Sequence, residues 1–275
     1  MKQKIIDAHA HTIFGNELFK GAVKDSKVKF NLKDFKKDAK RLNIIKTVAV
    51  PIHVDYFKIN NIIKKLVLGN NEFIGTCAIS PLNYKHEELE ALESDIKKGI
   101  FKAIKMFPGY EFFYPNQKEC EPIYEMAERN KIPVMVHTGD TWIEGSRVKY
   151  SHPLHIDDVA VSFPNVKFIL CHLGNPWTTD ASEVLYKNKN VYADISGFFL
   201  GNESNINKGY SKMMDKKVME CYYYCGSVDK IMFGTDYPLA NHEFYIKFVN
   251  KLELSKKDLN KIFFENAIKV FNIKL

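Results

Sequence analysis

Ile5-Ile6-Asp7-Ala8-His9-Ala10-His11 opens the chain as a short apolar run that ends in Asp-x-His-x-His. On a β-strand, side chains two apart share a side, so the run predicts His9 and His11 aimed at one point with Asp7 behind them. Two imidazoles converging at a strand end supply half of a metal site. His-x-His by itself is ordinary, because histidines are often exposed and bind nothing. Its weight depends on what recurs along the chain.

What recurs is an alternation of apolar β-like runs and amphipathic helical ones, with no Pro/Gly/Ser linker. Strands are predicted at Ile44–Val50, Glu72–Ile79, Ile100–Met106, Ile132–His137, Val166–His172, Val191–Ile195 and Lys230–Thr235. Helices are predicted at Asn31–Leu42, Ile59–Leu68, His86–Lys98, Lys118–Asn130, Pro153–Phe163, Thr179–Tyr186 and Ser211–Tyr224, then across Glu243–Leu252, Lys257–Glu265 and Ala267–Phe271. Leu89, Leu92 and Ile96 fall at helical spacing, and Gly99 supplies a stop. Several strands are apolar on both faces, as in Val-Lys-Phe-Ile-Leu-Cys, which fits a parallel sheet covered by helices. Eight βα units in one uninterrupted domain, residues 1–275, predict an α/β fold of the (β/α)8 TIM-barrel type. An open doubly wound sheet is the alternative, but no Gly-x-Gly-x-x-Gly follows the first strand.

Composition narrows the function classes. Hydrophobic residues make up 45% of the 275, enough for a substantial core. No apolar run approaches the roughly 20 residues of a membrane span. The chain enters its first strand without a charged-then-apolar leader, which predicts an unprocessed, cytoplasmic protein. The formal charge of +7 comes from lysines scattered along helices beside acidic residues; only Arg41, Arg129 and Arg147 are arginine. No focused basic patch with base-reading groups is present, so neither nucleic acid nor membrane is expected as a partner. Five cysteines, Cys77, Cys120, Cys171, Cys221 and Cys225, are not a disulfide framework. Cys221 and Cys225 are read as free thiols.

In a barrel, chemistry gathers where strands end. The first strand ends in His9 and His11, and the fourth carries Lys105. The fifth ends at His137, the sixth at His172 and the eighth at Asp236. Period-two alternation groups Met135 with His137, Leu170 with His172 and Gly234 with Asp236, each pair facing inward. Imidazole and carboxylate donors of this kind suit Zn²⁺, and also Fe²⁺, Mn²⁺ or Co²⁺.

Asp7-x-His9-x-His11, Lys105, His137-Thr-Gly, His172-Leu-Gly-x-Pro-Trp, Gly234-Thr-Asp236-Tyr-Pro and Glu265-Asn266-Ala267-x-x-x-Phe271, in this order, resemble the amidohydrolase superfamily, in its amidohydrolase-2 branch. The resemblance implies a divalent metal, most simply Zn²⁺ and one ion or two, held by His9, His11, His137 and Asp236. His172 is implied either as a further ligand or as an acid/base and substrate group. Lys105 is left as a carboxylated bridge between two ions, a substrate contact or a structural pair. The implied chemistry is a metal-activated water whose proton passes to Asp236 and then to the leaving group.

Other residues carry weaker expectations. Arg147, in the loop after the fifth strand, is a candidate fork for a substrate carboxylate, and Trp142 and Trp177 are candidate pocket walls. His53 and Asp194 are candidates for the barrel mouth. Asp7 either orients a ligand histidine or helps to start the barrel. His152 and His155 read as capping or packing, His86 and His242 as ordinary helix starts.

The reading is a metal-dependent hydrolase acting on an amide, ester or similar bond of a small molecule, with a homodimer as a possible assembly. The same branch and ligands also suit a decarboxylase or hydratase acting on an unsaturated or aromatic acid. A non-catalytic binding protein using its basic surface is the reading from another class, and nothing in the chain requires it.

Overall fold

The computed structural model describes residues 2–204 and 206–274. Strands β1 (Ile5–Ala10), β2 (Ile44–Ala49), β3 (Phe73–Ala78), β4 (Phe101–Met106), β5 (Val134–Val136), β6 (Phe168–Leu170), β7 (Val191–Asp194) and β8 (Ile231–Met232) form one parallel 8-stranded sheet in sequence order. The sheet closes when the chain beyond β8 returns to β1. Ala8 N–H donates to Phe233 O at 2.9 Å, and Asp236 N–H donates to His9 O at 2.8 Å. The architecture is the TIM barrel that the alternation predicts.

Around the barrel run α1 (Lys20–Ser26), α2 (Leu32–Leu42), α3 (Tyr56–Gly69), α4 (His86–Lys97), α5 (Glu121–Asn130), α6 (His155–Ser162), α7 (Thr178–Lys187), α8 (Lys208–Cys225), α9 (His242–Asn250), α10 (Lys256–Asn260) and α11 (Asn266–Phe271). Their starts are fixed locally: Asn31, Asp55, Asn207, Asn241 and Ser255 each accept a first-turn backbone N–H. One turn of π-helix, Lys261–Glu265, joins α10 to α11. The sequence pattern missed α1 and the 3-10 turn Glu17–Phe19 before it.

Two buried clusters separate the layers. The larger fills the space between strands and helices. The smaller takes Ile6, Val48, Ile74, Ala103, Met135, Ile169, Tyr192 and Met232, one from each strand, and is therefore the barrel interior. Ala267, Val270 and Phe271 of α11 join it.

This partition corrects the expected parity at two strand ends. Ile6 and Ala8 face inward while Ile5 and Ala10 pack outward, and the β1–β2 register shifts between Asp7 and Ala10. The irregularity breaks the alternation, so Asp7 does not stand behind the histidines. In β6, Ile169 and Cys171 face inward and Leu170 outward, so His172 is not carried in by strand period. The strand has ended at Leu170, and a left-handed backbone at His172 (φ 63) and Leu173 (φ 45) turns the chain.

Candidate metal centre and cavity

His9, His11, Lys105, His137, His172 and Asp236 all line one cavity of about 770 Å³ at the strand ends. His53 and Trp142 also reach it, as does the aromatic wall Phe19, Phe107, Tyr110, Phe198, Phe199 and Tyr210. Arg147 does not. Its guanidinium lies 4.4 Å from the centre of the exposed Phe112 ring, and cation–π stacking there replaces the expected substrate fork. Trp177 also turns away from the cavity to pack its ring 4.7 Å from that of His152.

His9, His11 and Asp236 place their donor atoms within 4.8 Å of one another. Asp236 Oδ1 is 3.0 Å from His11 Nε2 and 3.6 Å from His9 Nε2. The other ring nitrogens fix the tautomers. His11 Nδ1 donates to Val50 O at 3.1 Å, since a carbonyl has no proton to give. His9 Nδ1 donates to Asp194 Oδ2 at 2.9 Å. With both rings neutral, the two Nε2 atoms are lone pairs facing a carboxylate. His9 Nε2 and Asp236 Oδ1 are buried and lack an aligned hydrogen-bond partner, despite the short approach of His11. Three acceptors around one point with no proton among them is an arrangement a cation satisfies, so the donor set fits a divalent ion.

Burial pushes the Asp236 carboxyl up, while a proton held beside it on His11, His172 or His9 brings it well below the carboxylate range, so the site calls for one positive charge next to Asp236. Asp194 is likewise raised by burial and lowered further by His9, ending far below its ordinary value. Burial drives His172 down to about 4, partly offset by Asp236, and drives His137 well below its usual value. Both imidazoles are neutral at pH 7 and keep a lone pair.

Asp194 is the organiser that the sequence only half revealed. Its Oδ1 accepts the His172 and Ser196 backbone N–H groups, each at 3.1 Å, and the Ser196 hydroxyl. With its proton given to Asp194, Ser196 Oγ accepts from His172 Nδ1 at 2.8 Å. Gly197 (φ +67) passes so close that a Cβ would lie 2.5 Å from His172 Nδ1.

His137 reaches the cavity but not the donor cluster. Its Nε2 donates to Asp140 O at 2.9 Å, because the Thr138-Gly139-Asp140 turn brings that carbonyl back over the end of β5. Asp7 faces away from the cluster. It accepts the backbone N–H groups of His9 and Thr235, each at 3.1 Å, and the Thr235 hydroxyl at 2.6 Å. His242, read as an ordinary helix start, is buried and donates from Nε2 to Asp7 at 3.0 Å. Lys105 is 1% exposed, and its Nζ lies 2.8 Å from Cys171 Sγ.

A barrel with imidazoles and a carboxylate at its strand ends defines a class of metal-dependent TIM-barrel enzymes. The amidohydrolase family model matches residues 6–273, and the chain belongs to that family. No curated protein matches the sequence. Among solved structures, an uncharacterized TIM-barrel protein from Bordetella bronchiseptica superposes with a TM-score of 0.77 at 19% identity, covering 98% of each chain. A dihydroxybenzoic acid decarboxylase from Polaromonas sp. JS666 with bound manganese and 2-nitroresorcinol gives 0.72 at 15%, over 98% of this chain and 97% of that one. A probable 2-pyrone-4,6-dicarboxylic acid hydrolase from Acinetobacter baumannii gives 0.69 at 14%, over 99% and 100%. No helix among the described residues is long and apolar enough to cross a membrane.

Proposed function

We propose that the protein is a divalent-metal hydrolase acting on an amide, ester or lactone-like bond of a small molecule. His9, His11 and Asp236 hold the ion, with Zn²⁺ the first expectation. The manganese in the Polaromonas neighbour makes Mn²⁺ the alternative. When bound, the ion supplies Lewis acidity and lowers the pKa of water toward neutrality. The observation that carries the reading is the buried Asp236 Oδ1, ionised, without an aligned donor and beside two bare imidazole nitrogens.

The chain's own residues divide the remaining work. Asp236 takes the proton of the attacking water and delivers it to the leaving group. Asp194 fixes His9 in the tautomer that leaves Nε2 free. Neutral His172, oriented through Ser196, serves as the second polar group toward the substrate. Apolar and aromatic walls exclude water and favour a planar substrate.

A second reading, non-oxidative decarboxylation of an aromatic or unsaturated acid, is favoured by Lys105. Among the described residues it is the one lysine or arginine lining the cavity, and a thiol is a weak acceptor for its three N–H donors. An ammonium so placed suits a substrate carboxylate. Metal-loaded enzyme incubated with panels of lactones, amides and aromatic acids separates the two. Ring or bond opening without CO2 supports the hydrolase, and CO2 release supports the lyase.

A further inference from the structure

Asp236 stands in the left-handed region, at φ 60, where a residue with a Cβ persists only if its surroundings over-determine it. Both chain neighbours of Asp236 are held by one buried assembly. Thr235 gives its N–H and hydroxyl to the two oxygens of Asp7. Tyr237 gives its N–H to Thr235 Oγ1 at 3.1 Å, and its ring stacks on His242 at 4.7 Å, interplanar angle 22°. His242 returns to Asp7 Oδ2 at 3.0 Å, closing the ring of contacts. Asp7, Thr235, Tyr237 and His242 are all buried. Two further bonds, Asp236 N–H to His9 O and Leu239 N–H to Asp236 O, complete the restraint.

We infer that Asp7, Thr235 and His242 are positioning residues that hold Asp236 in its left-handed conformation and so aim its carboxylate at His9 and His11. None of the three meets a donor atom of the cluster: Asp7 accepts the His9 and Thr235 backbone N–H groups, Thr235 accepts the Tyr237 N–H, and His242 acts through Asp7 and the Tyr237 ring. The inference rests on the metal-site reading for its affinity arm and is independent of it for its conformational arm.

The test uses the full-length protein, Mn²⁺ alone as probe, and four variants: His242→Ala, His242→Gln, Thr235→Val and Thr235→Ser. Thr235→Val keeps the shape and removes the hydroxyl, while Ser and Gln restore a donor. The expected result is Mn²⁺ affinity weakened about 10-fold or more in His242→Ala and Thr235→Val, with recovery to within about 2-fold in His242→Gln and Thr235→Ser. Crystal structures of the two weakened variants are expected to show residue 236 outside the left-handed region. Should His242→Ala fail to fold, Thr235→Val carries both arms. A folded Thr235→Val with unchanged φ at residue 236 and unchanged Mn²⁺ affinity overturns the positioning role. A wild-type protein that binds no Mn²⁺ or Zn²⁺ overturns the metal-site reading instead, and leaves the conformational arm to decide the positioning role.

Discussion

His9 gives its Nδ1 proton to Asp194 Oδ2 at 2.9 Å, and both side chains are fully buried. That bond connects the end of β1 to the end of β7 and decides which nitrogen of His9 faces Asp236. A carboxylate behind an imidazole raises its basicity and orients its ring.

Asp194→Asn keeps the shape but weakens the acceptor and leaves the His9 tautomer unenforced. The expected outcome is a divalent-ion affinity lower by about 10–100-fold with the fold retained. Competition against a chelator, alongside circular dichroism, checks it.

Asp236→Asn removes the proposed base and one proposed ligand, so turnover is compared with the divalent ion in excess. Turnover by the metal-loaded enzyme is expected to fall by about 10²–10⁴-fold, the usual contribution of a positioned acid/base. The melting temperature of the metal-free protein should change by only a few degrees. Steady-state kinetics and thermal melts separate a chemical role from a structural one.

Lys105→Met tests the anchor. For a carboxylate substrate KM is expected to rise by at least about 30-fold, the loss that follows from leaving one partner of a buried charge pair alone. The neutral ester of the same acid should be affected little. Equal effects on acid and ester contradict a charge anchor.

Gly139 sits at φ +92, and a Cβ there would lie 2.1 Å from Asn175 O. The obstacle is backbone, so it cannot swing aside. Gly139→Ala is expected to cost roughly 2–4 kcal/mol, by strain and displacement of the turn over β5. Urea unfolding measures the loss.

Glu93 joins α4 to α5 through a two-pronged pair with Arg129, Nε to Oε1 and Nη2 to Oε2, each at 2.8 Å. Arg129 first, with help from Asn130 and Lys97, lowers its carboxyl to about 2 from 4.5. A carboxyl lowered by folding contributes stability that is complete above its unfolded pKa and fades as pH falls through about 2. Half-exposed Arg129 limits the contribution to about 1 kcal/mol or less. Glu93→Gln should therefore lower the urea midpoint at pH 7 slightly, and the gap should narrow as pH falls from 4.5 toward 2.

Much of this was legible from sequence, for local reasons. Apolar runs and caps mark the eight βα units, and strand period carries Lys105 and His137 inward from Ala103 and Met135. What was illegible depends on contacts between distant segments. The break in β1 that parts His9 and His11 from Asp7, which alternation leaves outside with Ile5, answers to pairing with β2, and Asp7 finds Thr235 and His242 there. The left-handed turn at His172 places a side chain that strand period misassigns, whereas period two does bring Asp236 inward from Met232 and only its left-handed backbone was illegible. Nothing local to Arg147 or Trp177 announces Phe112 or His152 as partners, and His242 looks like any helix start until Tyr237 and Asp7 are beside it. Asp194 was legible as a position facing the mouth, but its grip on His9 and Ser196 was not.

The central claim is that His9, His11 and Asp236 form one divalent-metal site. Its most direct test is metal analysis after equilibration with Zn²⁺ or Mn²⁺ and removal of free ion, on wild type, His9→Ala and Asp236→Asn, with folding checked by circular dichroism. The account predicts retained metal in the wild type and a large loss in both folded variants. A wild type that retains none, or folded variants that retain as much as the wild type, would contradict it.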